Sequence, residues 1–259
     1  MSRAPGRAAR AATVLPIALL LALTAGSCAS SPTTSYRDEA GRTVTVDWAD
    51  YPASAGIEAD AVLASPTVEE TEARVTPLMN DLKTAIDAEL DGGPGPFSWS
   101  LRQDPDEGNW FPTGGNGYGG GSMLLLYNSP VWQADVTIPE HDWDRVLDAA
   151  EEVAERHGLP RRADDCDSTR EEDACDPAWA GSMRSATFHG TGTEWLDISV
   201  FDLTLDEGLR RDAEEYGWLP AGIELFAGAT AVRERDRDEF VRRAAPFEGL
   251  ALPDETHSD

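Results

Sequence analysis

Two apolar stripes with helical spacing, set among stretches that alternate, do most to limit the folds open to this chain. After Ser65-Pro66-Thr67, the residues Val75, Leu78, Met79, Leu82, Ile86 and Leu90 recur at steps of three and four. That spacing places them on one side of a helix of about six turns that runs to Glu89. Thr67 and Glu70 have the spacing of a capping box, and Pro66 is tolerated at a helix start. Asp91-Gly92-Gly93-Pro94 ends the helix. A second helix starts around Thr137, Pro139 and Glu140 and carries Trp143, Val146, Leu147, Ala150, Val153 and Ala154 on its stripe. Gly158-Leu159-Pro160 supplies its left-handed cap and stop. Two helices with one apolar stripe each need a common surface to bury them, and a sheet provides it.

The intervening segments read as strands. Phe97 to Arg102 sets Phe97, Trp99 and Leu101 on one face. Ser122 to Tyr127 and Val131 to Ile138 flank Asn128-Ser129-Pro130, as one kinked strand or as a hairpin. Ser182 to Phe188 and Glu194 to Leu205 form an antiparallel pair joined near His189-Gly190-Thr191-Gly192. In the second of these, Leu196, Ile198 and Val200 share a face, whereas Phe201, Leu203 and Leu205 run a step out of phase, which predicts a bulge. The expected fold is α+β: a two-layer sandwich of a mostly antiparallel sheet with two main helices packed on one face. Ile223 to Val232 and a short helix from Asp236 to Ala245 add a C-terminal strand-helix extension. The run from Val232 to Phe240 echoes the run from Ile138 to Val146, apolar, Glu, Asp, Asp and apolar residues in register. Thr43 to Trp48 alternates as a short strand, and Asp50 to Ala64 is irregular.

The beginning of the chain has a different character. Arg3, Arg7 and Arg10 precede an uncharged run from Ala11 to Ala25, followed by Gly26-Ser27-Cys28. A basic start, a short apolar run and small residues before a cut describe an export signal rather than part of the fold. The run is too short for a spanning helix. Leu23-Thr24-Ala25-Gly26-Ser27-Cys28 resembles the lipobox of bacterial lipoproteins, which implies a diacylglyceryl group on Cys28 and cleavage before it. The expected organisation is a signal peptide over residues 1–27, a flexible tether over 28–42, and one extracytoplasmic domain over 43–252 with its core in 65–205. A disordered tail, 253–259, completes it. Cys166 and Cys175 are the other two cysteines, in a compartment where a bridge between them persists. Closing so small a loop is worth about 2 to 3 kcal/mol on the chain-entropy model.

Charge excludes several partners. Asp and Glu number 48 against 21 Lys and Arg, a net charge of -27. Nucleic acid, whose phosphates demand a basic face, is excluded as a partner. So is docking of the bare domain on an anionic bilayer. The membrane contact then falls to lipid on Cys28, at the outer face of the cell membrane.

The long helix with Ala73-Arg74 near its start, the Pro94 to Trp99 junction, Ser129 to Trp143 leading into the helix that ends at His157-Gly158, and Gly190-Thr191-Gly192-Thr193-Glu194 entering the last long strand together resemble the LppA-like lipoproteins of actinobacteria. The likeness spans about Thr67 to Leu205. It implies a lipid-anchored envelope protein with no established activity. The chain departs from that pattern by lacking a cysteine after Thr204 and by continuing beyond Leu205.

No residue set compels a reaction, so no catalytic residue, metal ligand or cofactor is assigned. The glycine-rich stretch from Gly108 to Gly121 lacks the lysine or following helix of a phosphate loop. It reads as a mobile surface loop whose aromatics, Trp110, Phe111 and Tyr118, form a sticky rim or cover the core. The acidic residues between Asp164 and Asp176 lack EF-hand spacing. His141, His157, His189 and His257 form no metal motif, and His141 and His157 fall on solvent-facing positions. Ser182 follows Gly181 without a nucleophile elbow. Eight tryptophans invite stacking on carbohydrate rings; Trp99, Trp132, Trp143 and Trp195 belong to predicted strands or the helix stripe and read as core, while Trp48, Trp110, Trp179 and Trp218 fall in loops and are the candidates for it. The leading reading is a non-enzymatic lipoprotein that binds an envelope protein or a small ligand. Its rival is an envelope hydrolase with Asp197 or Asp202 as acid-base groups, for which two carboxylates converging in a cleft are the signature.

Overall fold

The computed structural model describes residues 31–90, 97–102, 109–164 and 177–256. The signal, Cys28, Cys166 and Cys175 therefore lie outside the described residues, as do His257 and all of the acidic loop beyond Asp164. The elements in chain order are β1 (Thr33–Arg37), β2 (Thr43–Asp47), α1 (Ala59–Ala64), α2 (Val68–Glu89), β3 (Trp99–Leu101), β4 (Trp110–Pro112), β5 (Leu125–Asn128) and β6 (Trp132–Asp135). They continue with α3 (Trp143–Arg156), β7 (Arg161–Asp164), α4 (Pro177–Ser182), β8 (Met183–His189), β9 (Glu194–Asp202), α5 (Glu207–Tyr216), β10 (Ala221–Ala231) and α6 (Arg237–Ala244). Every strand pair is antiparallel, and the main sheet runs β3-β6-β10-β9-β8-β7, with β5 and then β4 beside the far half of β10.

This is the expected α+β sandwich with α2 and α3 on one face. At α2 the capping box is formed, Thr67 N–H donating to Glu70 Oε2 (3.0 Å) and Glu70 N–H to Thr67 Oγ1 (3.3 Å). All six stripe residues of α3 are buried, and Gly158 takes φ 86° just past its end. Leu78, Met79, Leu82 and Ile86 of α2 meet that stripe over Phe188, Leu196, Ile198, Val200, Ile223 and Leu225 of the sheet. The C-terminal strand thus occupies the middle of the sheet, and the core extends past 65–205 to include Ile223, Leu225 and Ala227.

Three details differ from the sequence reading. The predicted bulge in β9 is absent, because the register with β8 and β10 is continuous from Glu194 to Asp202. Phe201 simply points to the other face, where it meets Leu203, Leu209 and Ala213. Residues 33–37, placed in a flexible tether, form a strand on β2, and Trp48 Nε1–H donates to Thr34 Oγ1 (2.9 Å). In the tail, Tyr118 Oη–H donates to Pro253 O and Thr256 N–H to Gly117 O, which orders residues 253–256 against the glycine-rich stretch.

The question left open at Asn128-Ser129-Pro130 resolves as one kinked strand. Asn128 faces Gly228 and Trp132 faces Leu225, so β5 and β6 follow one another along β10 with a one-residue slip between them. The echo between the two helix entries is also visible in the backbone. Three-residue 3₁₀ turns, Glu140–Asp142 and Glu234–Asp236, precede α3 and α6, and the residues entering those helices, Asp142 and Asp236, have φ/ψ of -101°/-5° and -100°/-4°.

Candidate functional site

Strand alternation leaves the second face of the sheet with a polar row. Ser100, Gln133, Glu224, Ser199 and Ser185 stand directly opposite one another on β3, β6, β10, β9 and β8. Such partners lie about 5 Å apart, so the row crosses five strands without an apolar interruption. Arg102, just past β3, reaches over it and places Nη1 3.1 Å from Glu224 Oε1.

The described residues cover only part of this face. The connection from β9 to β10 folds down as α5, whose start is capped by Asp206 Oδ1, accepting from Gly208 N–H (2.8 Å) and Leu209 N–H (3.0 Å). Leu209 and Ala213 then bury against Phe201 and Leu203, with Trp179, Met183 and Leu219 around them. Gly222 carries no side chain here because a Cβ would sit 2.4 Å from Ala134 O, and Phe201 packs close over it. Gly217, at φ 69°, ends α5 and turns the chain so that Trp218 folds back beside Tyr216. Their ring centroids are 5.2 Å apart, and they stay 39% and 62% exposed.

Between this aromatic rim and the polar row lies a cavity of about 560 Å³. Its floor is Arg102, Gln133, Ser199 and Glu224; its wall is Trp179, Met183, Phe201, Leu203 and Leu219; its rim is Tyr216, Gly217 and Trp218. Among the described residues Glu224 is the one carboxylate lining it, and a guanidinium already faces that group. The arrangement can hold a ligand that has both an apolar face and hydrogen-bonding edges. Among the described residues it offers no pair of convergent acids. A second cavity of about 520 Å³ lies on the helix side, floored by Ala227, Gly228 and Ala229. Around it, Arg74 and Glu194 approach to 4.0 Å, and His157 Nε2 meets Asp81 Oδ2 at 2.8 Å.

The residues singled out from the sequence are dispersed by the fold. Asp197 accepts from Thr187 Oγ1–H (2.6 Å), and Asp202 caps Thr204 N–H (3.0 Å); neither lines the open-face cavity. His141 is exposed, as expected, whereas His157 is half-buried and ties the end of α3 to α2 through Asp81. Ser182 is buried. Of the four loop tryptophans, Trp48 is core, Trp110 donates to Glu72 Oε1 (2.7 Å), Trp179 lines the cavity wall, and Trp218 stands at its rim. Among the described residues no group of three or more His, Cys, Asp or Glu side chains is placed to hold a metal ion, and no helix is long and apolar enough to cross a membrane.

The glycine-rich stretch is where the sequence reading fails most clearly. Asn116 and Tyr118 are fully buried there, not at the surface. The Asn116 amide donates to the carbonyls of Trp48, Ala49 and Tyr51, while its Oδ1 accepts from Tyr118 N–H and Gly120 N–H. Trp48, Tyr51, Tyr118 and Phe247 form one aromatic cluster around this network. Burial pushes the Tyr51 and Tyr118 phenols above their ordinary pKa. The elements α1, α4 and α5, and with α5 the cavity rim, were not anticipated. The Asp206 cap, the Leu209/Ala213 spacing and the Gly217 stop are the sequence signals that mark α5.

No family model and no curated protein matches the chain. Among solved structures, the crystal structure of the "putative lipoprotein LppA from Mycobacterium tuberculosis" is similar over 78% of this chain and 91% of that one. Identity is 10% and the TM-score 0.39. At that score nothing about the site is carried across.

Proposed function

We propose that this protein is a lipid-anchored, non-enzymatic binding module of the cell envelope, tethered through Cys28 and taking its ligand in the cavity on the open sheet face. The observation that carries the reading is the composition of that cavity. Exposed aromatic rings stand at its rim, apolar side chains form its wall, and among the described residues one carboxylate, compensated by Arg102, lies on its floor. Binding sites are concave, largely apolar and marked by a few placed polar groups. A hydrolase of the two-carboxylate kind needs a second acid, and Asp197 and Asp202 are engaged in local hydrogen bonds away from this cavity. The export signal and the acidic surface agree with a domain held at the membrane by lipid alone. A Cys166–Cys175 bridge completes the proposal, and a non-reduced peptide digest checks it by mass.

The deciding experiment places a photo-cross-linking amino acid at Tyr216 in intact cells, with Cys28→Ala as a parallel form. The expected result is an adduct at position 216 in the membrane fraction and release of the Cys28→Ala form from it. Absence of any adduct, together with shortening of an envelope polymer by the purified chain, would favour the hydrolase.

A further inference from the structure

We infer that the open-face cavity takes a neutral saccharide, one unit of a polymer lying outside the membrane. This rests on the binding-module reading and names its ligand class.

The first argument is the split character of the cavity. One side is aromatic and aliphatic, ending in Tyr216 and Trp218. The floor is a line of hydrogen-bonding groups on adjacent strands. A planar aromatic ligand gains nothing from such a floor, and desolvating it without replacement bonds is costly. A pyranose or furanose ring has a C–H face for the aromatic side chains and hydroxyls that both donate and accept. The floor matches both roles: Arg102 donates, Glu224 accepts, and Gln133 and Ser199 do either.

Charge removes the other polar candidates. An anion meets Glu224 and the field of a chain with net charge -27. A cation finds exposed aromatic rings, but Glu224, the carboxylate among the described lining residues, is held by Arg102 at 3.1 Å. The ion pair makes the floor neutral while leaving its donors and acceptors in place.

Position fixes the source. The β1–β2 ribbon, nearest in sequence to Cys28, packs through Val46 and Trp48 against Val232, Phe240 and Phe247, where β10 ends. Glu224 lies eight residues back along β10, about 26 Å at strand rise. The cavity thus sits at the end of the sheet remote from the tether, suited to a polymer rather than to lipid headgroups.

The test is isothermal titration calorimetry on the full chain. Probes are neutral oligosaccharides of glucose, mannose, galactose and arabinose, with tetramethylammonium, inorganic phosphate and an oligouronate as charged controls. At least one neutral oligosaccharide is expected to bind, weakened tenfold or more by Trp218→Ala and by Tyr216→Ala. Thermal unfolding of both variants stays unchanged, and Phe111→Ala, an exposed aromatic elsewhere, binds as the parent does. A charged control that binds in place of the neutral sugars, with the same dependence on Trp218, overturns the saccharide class and leaves the binding module standing. Sugar binding that ignores Trp218→Ala overturns the assignment to this cavity. No heat with any probe overturns the saccharide inference; the function falls with it only if the position-216 cross-linker also captures nothing in cells.

Discussion

Ser129 and Ala227 are joined twice across the sheet: Ser129 N–H donates to Ala227 O (2.8 Å), and Ala227 N–H donates to Ser129 Oγ (2.9 Å). The hydroxyl stands in for a carbonyl at the point where the kinked strand slips by one residue. Its own proton goes to Pro130 O (3.1 Å). Removing it strands a buried backbone donor at the centre of the molecule. Ser129→Ala is expected to cost about 1 to 3 kcal/mol, read as a lower urea midpoint with an unchanged slope.

Asn116 satisfies five backbone groups with one side chain, and no solvent reaches it. Replacement by Ala leaves the Ala49 and Tyr51 carbonyls and two N–H groups to find partners in an aromatic cluster, while the Trp48 carbonyl keeps Tyr51 N–H (3.0 Å). The expected loss is about 3 to 5 kcal/mol, among the largest single-site effects. Asn116→Asp should be no milder, since it aims a carboxylate at three carbonyl oxygens. Equilibrium denaturation of both variants checks this.

Adjacent glycines differ in what they tolerate. A Cβ on Gly120 would lie 1.7 Å from Ala49 O, whereas one on Gly121 meets nothing within 4 Å. Gly120→Ala forces two backbone segments apart and is expected to cost more than about 3 kcal/mol. Gly121→Ala stays within about 1 kcal/mol of the parent. A pair of melting curves separates the two.

Alkaline pH should unfold the protein. Burial raises the pKa of Tyr51, Tyr118 and Tyr127, since each phenolate would have to form inside a packed core. A group whose folded pKa lies above its unfolded value contributes stability that is fully present below the unfolded pKa. That contribution is lost as pH rises toward the folded one. The folding free energy is therefore expected to fall above about pH 10. Absorbance of phenolate from these three tyrosines should grow in step with loss of circular dichroism.

What was legible in the sequence was what repeats. The stripes on α2 and α3, and the alternation in β8, β9 and β10, name their own buried faces, and the caps at Thr67 and Gly158 mark their ends. Phe201 misled because alternation was expected to serve one core. Where α5 covers the second face locally, a strand carries apolar residues in both phases without any bulge. The glycine-rich stretch misled for a related reason. Glycines at Gly114, Gly117 and Gly119 with φ of 77°, 76° and 90° looked like freedom, yet they fold the backbone tightly around Asn116. Of the cavity, the sequence pointed only to Trp179 and Trp218, as tryptophans in loops. Its floor is drawn from residues 102 to 224, each an unremarkable polar position until the strand register lines them up.

The place of β10 has a consequence for synthesis. It separates β6 and β5 on one flank from β9 on the other, yet it is the last strand to be made. Until residue 231 has emerged, a nascent chain can pair β8 with β9 but presents two unzipped borders. Chains truncated before residue 221 should then clump or be degraded rather than persist as stable fragments.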